Sequence, residues 1–218
     1  MDPSEIPSEW CHRSQRYSLL FSALRHYSSR QWGFVIIRTT YDDDEAWASY
    51  LQCVRDNAHI DLTRFKPERG AILEQMLTWT VIEDAATLAN ASREQVRQRF
   101  QQWCQEQDDF NASLPRFTYC VNVTRACLNT LSAHLANKPD DVSKPHLPPP
   151  SLVAEIVDGD FAPGPEGESG GGYLGWEYID TRYLMSTYNT LHGTPLDGYN
   201  YQRPPAIAPL GQQTMPLA

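Results

Sequence analysis

The stretch GFVIIRTTYDDDEAW, residues 33–47, decides the fold, because a short apolar run leads directly into acids and then into helical spacing. Gly33–Thr40 is short and rich in β-branched residues, which predicts a strand buried on both faces. Residues 44–57 place Trp47 and Val54 on one apolar stripe, as in an amphipathic helix. A buried strand followed at once by a helix is typical of α/β proteins.

The same alternation continues along the chain. Further strands are predicted at 77–81, 117–123 and 152–157. Helices are predicted over 12–30 and 44–57 and after the capping residues Ser92, Thr124 and Asp180. The sequence therefore predicts one α/β (or α+β) domain, with helices packed on a sheet of about four strands, an amphipathic N-terminal helix and an irregular C-terminal tail. Whether the sheet is parallel stays open, because residues 58–76 have room for another strand.

Composition shifts divide the chain into three parts. Residues 1–11 are predicted to be a flexible N-terminus, 12–203 the single domain, and 204–218 a disordered tail. Inside the domain lie a Pro-rich linker, 138–150, and a Gly-rich loop, 162–174.

Composition also excludes several classes of protein. With 218 residues, no apolar run of about 18 residues and no signal peptide, we expect an intracellular, cytoplasmic protein without a membrane partner. Five cysteines without a CxxC motif, and histidines without HExxH, predict reduced thiols and no metal. Neither a P-loop nor a dinucleotide-binding motif is present, so no cofactor is expected. The net charge of −9 disfavours non-specific binding to nucleic acid.

Asp42, Asp43 and Asp44 admit two interpretations. As structural groups, one Asp caps the helix, and the neighbouring acids interact favourably with the positive end of the helix dipole. As functional groups, they lie at the carboxyl end of a strand, where α/β sheets bind ligands. Glu83 and Asp84 follow the second predicted strand in the same way. These five acids, called here the acidic rim, would lie together if the two strands are neighbours, and would suit a guanidinium or ammonium group.

Arg38 lies inside the apolar run, where an unpaired arginine is rare. We expect it to pair with one of the rim acids, which would make part of the rim a structural ion pair.

The chain resembles a widespread family of fungal hypothetical proteins through four ordered blocks that span about residues 30–205: WGFVIIRTTYDDDEAW, LTWTVIEDAATLANASREQVRQRFQQW, PRFTYCVNV and YQRPP. That family is similar to the arginine-containing cyclodipeptide synthases of fungal secondary metabolism. The resemblance implies an enzyme that joins arginine and a second amino acid into a diketopiperazine. It also implies arginyl-tRNA and a second charged tRNA as partners, with no cofactor and no stable protein partner.

Candidate residues follow from combining the resemblance with the rim. The substrate-binding candidates are Asp42, Asp43, Asp44, Glu83, Asp84 and Trp79, and the candidate catalytic groups are Tyr41, Asp43 and Glu83. Residues 10–31 contain no acid, and we expect tRNA contacts from their four arginines, Arg13, Arg16, Arg25 and Arg30.

Two alternatives stay open. The chain would be a non-catalytic interaction protein if the acidic rim binds a basic partner. It would be a cofactor-free tailoring cyclase or isomerase if the rim acids act as acid and base on another metabolite.

Overall fold

The computed structural model describes residues 2–64, 66–136, 150–162, 172–198, 201–209 and 213–215. Within them the chain forms one sheet of six strands with helices packed against it, which confirms the predicted α/β domain. The strands are β1 (Val35–Arg38), β2 (Thr80–Ile82), β3 (Tyr119–Val123), β4 (Val153–Asp158), β5 (Trp176–Asp180) and β6 (Ile207–Ala208). The prediction of about four strands was too low, because β5 and β6 were missed.

The helices pack around this sheet. They are α1 (Ser18–Tyr27), α2 (Asp44–Thr63), α3 (Pro67–Met76), α4 (Ala85–Leu88), α5 (Arg93–Gln105), α6 (Pro115–Thr118), α7 (Arg125–Ala136) and α8 (Leu184–Leu191). The helix predicted over 12–30 is shorter than expected. Tyr17 has a φ of 60°, in the left-handed region, so the helix begins only at Ser18.

The sheet order is β2-β1-β3-β4-β5-β6. β1 is parallel to both β2 and β3, β4 is antiparallel to its two neighbours, and β6 is parallel to β5. The connection that left the topology open, 58–76, contains the end of α2 and all of α3. The carboxyl ends of β1, β2 and β3 therefore meet at one edge of the sheet.

Alternating side chains of the strands enter two apolar cores. On one face, α1, α2, α3, α7 and α8 pack against residues such as Ile36, Val121 and Ile156. On the other face, α4 and α5 pack against residues such as Ile37 and Val157. Because both faces are covered over β1, β3 and β4, these strands are apolar throughout, apart from the polar groups considered below.

The two ends of the chain differ from the prediction. Residues 1–11 were expected to be flexible, but Pro3–Glu5 and Ser8–Cys11 form short 3-10 helices, and Ile6 is buried. The tail 204–218 was expected to be disordered, but its Ile207 and Ala208 form β6. Most of the linker 138–150 and of the loop 162–174 lies outside the described residues. In the described part of the chain, no helix is long and apolar enough to cross a membrane.

Candidate functional site

The structure brings the acidic rim together. β1 and β2 are parallel neighbours, with Ile37 opposite Ile82, so the segments that follow them leave the same edge of the sheet. A shared cation site requires that β1 and β2 be neighbours, and in the structure they are.

Arg38 occupies the middle of this rim. Its side chain is only 6% exposed, and its Nη2 lies 2.5 Å from Oδ1 of Asp44. Its Nη1 lies 4.0 Å from Oε1 of Glu83, and its Nε donates to the carbonyl oxygen of Thr40 at 2.6 Å. The predicted pairing of Arg38 is therefore confirmed, and the chain's own guanidinium takes up two of the five acids.

Two aromatic side chains enclose the guanidinium of Arg38. The ring centroids of Tyr41 and Trp47 lie 4.6 and 5.0 Å from its central carbon. Trp47 Nε1 also donates to Oε1 of Glu83 at 2.5 Å. The Tyr41 hydroxyl donates to the carbonyl oxygen of Arg38 at 2.9 Å and accepts the N–H of Asp84 at 2.8 Å. Burial raises the pKa of Tyr41, so this candidate catalytic group is a proton donor rather than a base at neutral pH.

The remaining rim acids also have partners within the chain. Asp43 caps α2 by accepting the N–H of Ala46 at 2.8 Å. Asp84 caps α4, and its hydrogen bond from the Thr87 hydroxyl lowers the pKa of Asp84. Asp42 lies against Arg125, with 2.6 Å between Oδ2 and Nη2.

One polar group at this edge lacks a partner. The Thr40 side chain is 3% exposed, and its Oγ1 is buried without a hydrogen bond among the described residues. A buried hydroxyl in this state is uncommon in native proteins.

Other predicted site residues lie away from the rim. Trp79 precedes β2, so it lies at the amino end of that strand, whereas Glu83 follows the carboxyl end. Arg13 and Arg16 precede α1 and do not belong to it. Arg16 pairs with Asp61.

Two predicted tRNA contacts remain to be placed. Arg30 pairs with Asp2 at 3.1 Å. Arg25 lies on the exposed side of α1. The predicted basic helix is thus a set of separate arginines, two of which, Arg16 and Arg30, form ion pairs.

A buried polar network on the α5 side of the sheet was not predicted. Glu155, only 1% exposed, accepts from Arg93 at 2.6 and 3.2 Å and from Nδ2 of Asn122 at 2.8 Å. The Asn122 amide oxygen accepts from the Thr39 hydroxyl at 3.0 Å. The guanidinium of Arg93 stacks on Trp176, 3.4 Å from the ring centroid. A single acid inside the apolar run LVAEIV is the signal that would have identified Glu155.

Neither Cys120 nor Cys127 provides a nucleophile. Cys120 and Cys127 are fully buried, and burial raises the pKa of both thiols, so neither is a thiolate at neutral pH. Among the described residues, no cluster of His, Cys, Asp and Glu side chains is placed to hold a metal ion.

The sequence matches no protein-family model, no curated protein and no solved structure.

Proposed function

We propose that this chain is a cytoplasmic, aminoacyl-tRNA-dependent cyclodipeptide synthase that joins L-arginine to a second amino acid. The observation that carries the proposal is the meeting of both acidic segments at the carboxyl ends of adjacent parallel strands. Open α/β sheets bind their ligands at such an edge. The four sequence blocks resemble a family of fungal hypothetical proteins that is itself similar to the arginine-containing synthases, and this resemblance supports the same assignment.

The chemistry of the rim suits an arginine substrate. The environment of Arg38, with carboxylates and aromatic rings around it, is the environment that a guanidinium requires. Asp42 is 79% exposed, and such surface ion pairs contribute about 0–1 kcal/mol, so a substrate cation can displace Arg125 from it. Asp43 uses Oδ1 for its helix cap. We assign Asp42 and Asp43 to the substrate cation, and Asp44 and Glu83 to Arg38.

The reaction needs no ATP, because an aminoacyl ester is already activated. The amine of one aminoacyl group attacks the ester carbonyl of the other, a peptide bond forms, and the tRNA hydroxyl leaves with a proton. Attack by the remaining amine on the second ester closes the ring and releases the second tRNA. Each attack requires a base for the amine and a donor for the oxyanion. In this proposal the base is Glu83 through its Oε2, because its contacts with Arg38 and Trp47 use Oε1. The Tyr41 hydroxyl already donates to the Arg38 carbonyl, so it does not serve as the oxyanion donor.

The test is a reconstitution with purified protein. Arginyl-tRNA and a mixture of other charged tRNAs should yield an arginine-containing cyclic dipeptide by mass spectrometry, and ribonuclease should abolish it. Asp42→Asn and Glu83→Gln should reduce the yield, whereas Asp108→Asn, at an exposed acid in a turn outside the rim, should not. A well-folded protein that makes no such product with any charged tRNA would contradict the proposal.

The bonds that the rim acids form with other groups of the chain favour a second function. Each of its five acids already bonds to another group of the chain, as a structural surface does. On this alternative the chain is a non-catalytic interaction protein whose rim binds a basic partner. Capture of one partner at fixed stoichiometry, together with no cyclic dipeptide in the reconstitution, would favour it.

A further inference from the structure

A small cavity lies on the α8 side of the sheet, remote from the acidic rim. It has a volume of about 140 Å³ and lies between β5, α8, the segment after α8 and β6. The strand β5 is separated from β1 by β3 and β4, so this cavity and the rim are distinct places in the fold. Its lining consists of Glu177, Ser186, Thr187, Thr190, Leu191, Thr194, Pro195, Leu196, Ala208 and Pro209.

Glu177 is the ionisable group of this lining. The residue is only 4% exposed, and its Oε2 accepts the N–H of Gln202 at 2.9 Å. No ion pair joins Glu177 to a basic side chain in the part of the chain that the structure describes. Burial raises the pKa of its carboxyl to about 7. A buried acid normally has a cationic partner, and here the chain supplies none from its described residues.

Two of the four hydroxyl groups of the lining have already used their protons. Ser186 Oγ donates to the carbonyl oxygen of Tyr183 at 3.0 Å, and Thr190 Oγ1 donates to that of Ser186 at 3.1 Å. These two hydroxyls then retain only acceptor capacity for a ligand. Together with the carboxyl of Glu177, these groups favour a ligand that donates hydrogen bonds, and they disfavour an anion.

Apart from Thr187 and Thr194, the rest of the lining is apolar. The side chains of Leu191, Leu196 and Ala208 can contact the methylene groups of a ligand but cannot form hydrogen bonds. A ligand that matches both parts has a positively charged nitrogen head on a short aliphatic stem.

We propose that this cavity is a binding site for a small organic cation, with a guanidinium or ammonium head at Glu177 and an aliphatic stem along Leu191 and Leu196. The cation supplies the charged partner that the buried carboxyl lacks among the described residues, as a charge-assisted hydrogen bond away from bulk water. The inference does not depend on the acidic rim or on any use of tRNA.

The experiment uses four small molecules with the full-length protein. Propylguanidinium and butylammonium carry the two kinds of head, propylurea is the neutral isostere of the first, and propionate is an anion of similar size. Binding is measured by calorimetry and by the shift in Tm. We expect one or both cations to bind wild type at least about tenfold more tightly than propylurea, because the charge-assisted bond is lost in the urea. Propionate should not bind.

Variants locate the binding. Glu177→Gln keeps the shape of the side chain and should weaken cation binding by about tenfold or more. Asp108→Asn, at an exposed acid in a turn outside the cavity and the rim, should leave it unchanged. Equal binding of propylguanidinium and propylurea, no binding of either cation, or equal loss in both variants would each overturn the proposal. If Glu177→Gln does not fold, Leu191→Trp fills the cavity from α8 instead and should abolish cation binding; undiminished binding in that variant would also overturn it.

Discussion

The guanidinium of Arg38 contacts the carboxylate of Asp44, with 2.5 Å between Nη2 and Oδ1, and the two side chains differ greatly in exposure. The Arg38 side chain is 6% exposed, whereas that of Asp44 is 85% exposed. The arginine is a buried group with several partners, and the aspartate is a surface group that pairs with it.

This asymmetry predicts unequal costs of substitution. Asp44→Asn should lower the free energy of unfolding by less than about 1 kcal/mol, because surface ion pairs are weak and Arg38 keeps Glu83 and its aromatic contacts. Arg38→Ala should cost about 2–4 kcal/mol, because it removes buried packing and leaves the Thr40 carbonyl without its donor. Urea unfolding at neutral pH measures both. Equal losses of unfolding free energy in the two variants would contradict the prediction that Arg38 stabilises the protein more than Asp44 does.

Substitutions at Asp43 can separate its role as a helix cap from the effect of its charge. Asn caps a helix as well as Asp does, whereas Ala does not. We expect Asp43→Ala to lower the free energy of unfolding by about 1 kcal/mol and Asp43→Asn to leave it within about 0.5 kcal/mol of wild type. If Asp43 also binds the substrate cation, Asp43→Asn should lose cyclic dipeptide at unchanged stability. Full activity in a stable Asp43→Asn protein would restrict this residue to capping.

Breaking the Arg93–Glu155 pair should lower the free energy of unfolding by more than the Asp43 variants do. Because Glu155 is 1% exposed, Arg93→Met would leave its carboxylate buried with only the Asn122 amide, at a cost of about 3–5 kcal/mol. Adding Glu155→Gln should recover part of that loss, since the amide has no charge to bury. Chemical unfolding of the two single variants and the double variant gives the coupling energy. Additive losses would mean that the two side chains are independent.

Periodicity was sufficient for much of the fold, because each buried strand and amphipathic helix carries its own local signal. The weaker strand β5 was missed because WEYID has only five residues and places Tyr178 beside Ile179, which breaks the alternation of polar and apolar residues. β6 has two residues and no signal of its own. Its existence depends on pairing with β5, which no local pattern contains.

The functional groups were predicted unevenly for a related reason. The acidic rim follows from where strands end, which the sequence reveals. The partnership of Asn122 with Glu155 depends on β3 lying antiparallel to β4 in one register, which sets these residues opposite each other. Glu177 lies in β5 between Trp176 and Tyr178, and Arg38 ends β1 after Ile37, so each is a charge next to apolar residues. That signal was used for Arg38 and would have found Glu177 as well.

Gly70 is a helical glycine at which substitution by Ala should destabilise the protein. Replacing such a residue by Ala normally stabilises a helix by up to about 1 kcal/mol. Here a Cβ would lie 2.4 Å from the carbonyl oxygen of Leu62, so α2 and α3 would have to separate. We expect Gly70→Ala to lower the free energy of unfolding by about 1–3 kcal/mol, and Glu68→Ala, on the exposed side of α3, to change it by less than about 0.5 kcal/mol. Stabilisation by Gly70→Ala in thermal unfolding would contradict this close approach.

Glu177 predicts how stability depends on pH. Burial raises the pKa of its carboxyl from 4.5 to about 7, so between these values the folded protein holds a proton that the unfolded chain has lost. The free energy of unfolding should therefore fall as the pH rises from about 4.5 to 7, with this residue contributing a loss of roughly 2–3 kcal/mol. Glu177→Gln cannot titrate, so its stability relative to wild type should increase across that window, whereas Asp108→Asn should follow wild type. Urea unfolding of the three proteins at pH 5 and pH 8 measures the difference. A Glu177→Gln protein with the same pH dependence as wild type would show that this carboxyl is already ionised in the folded state.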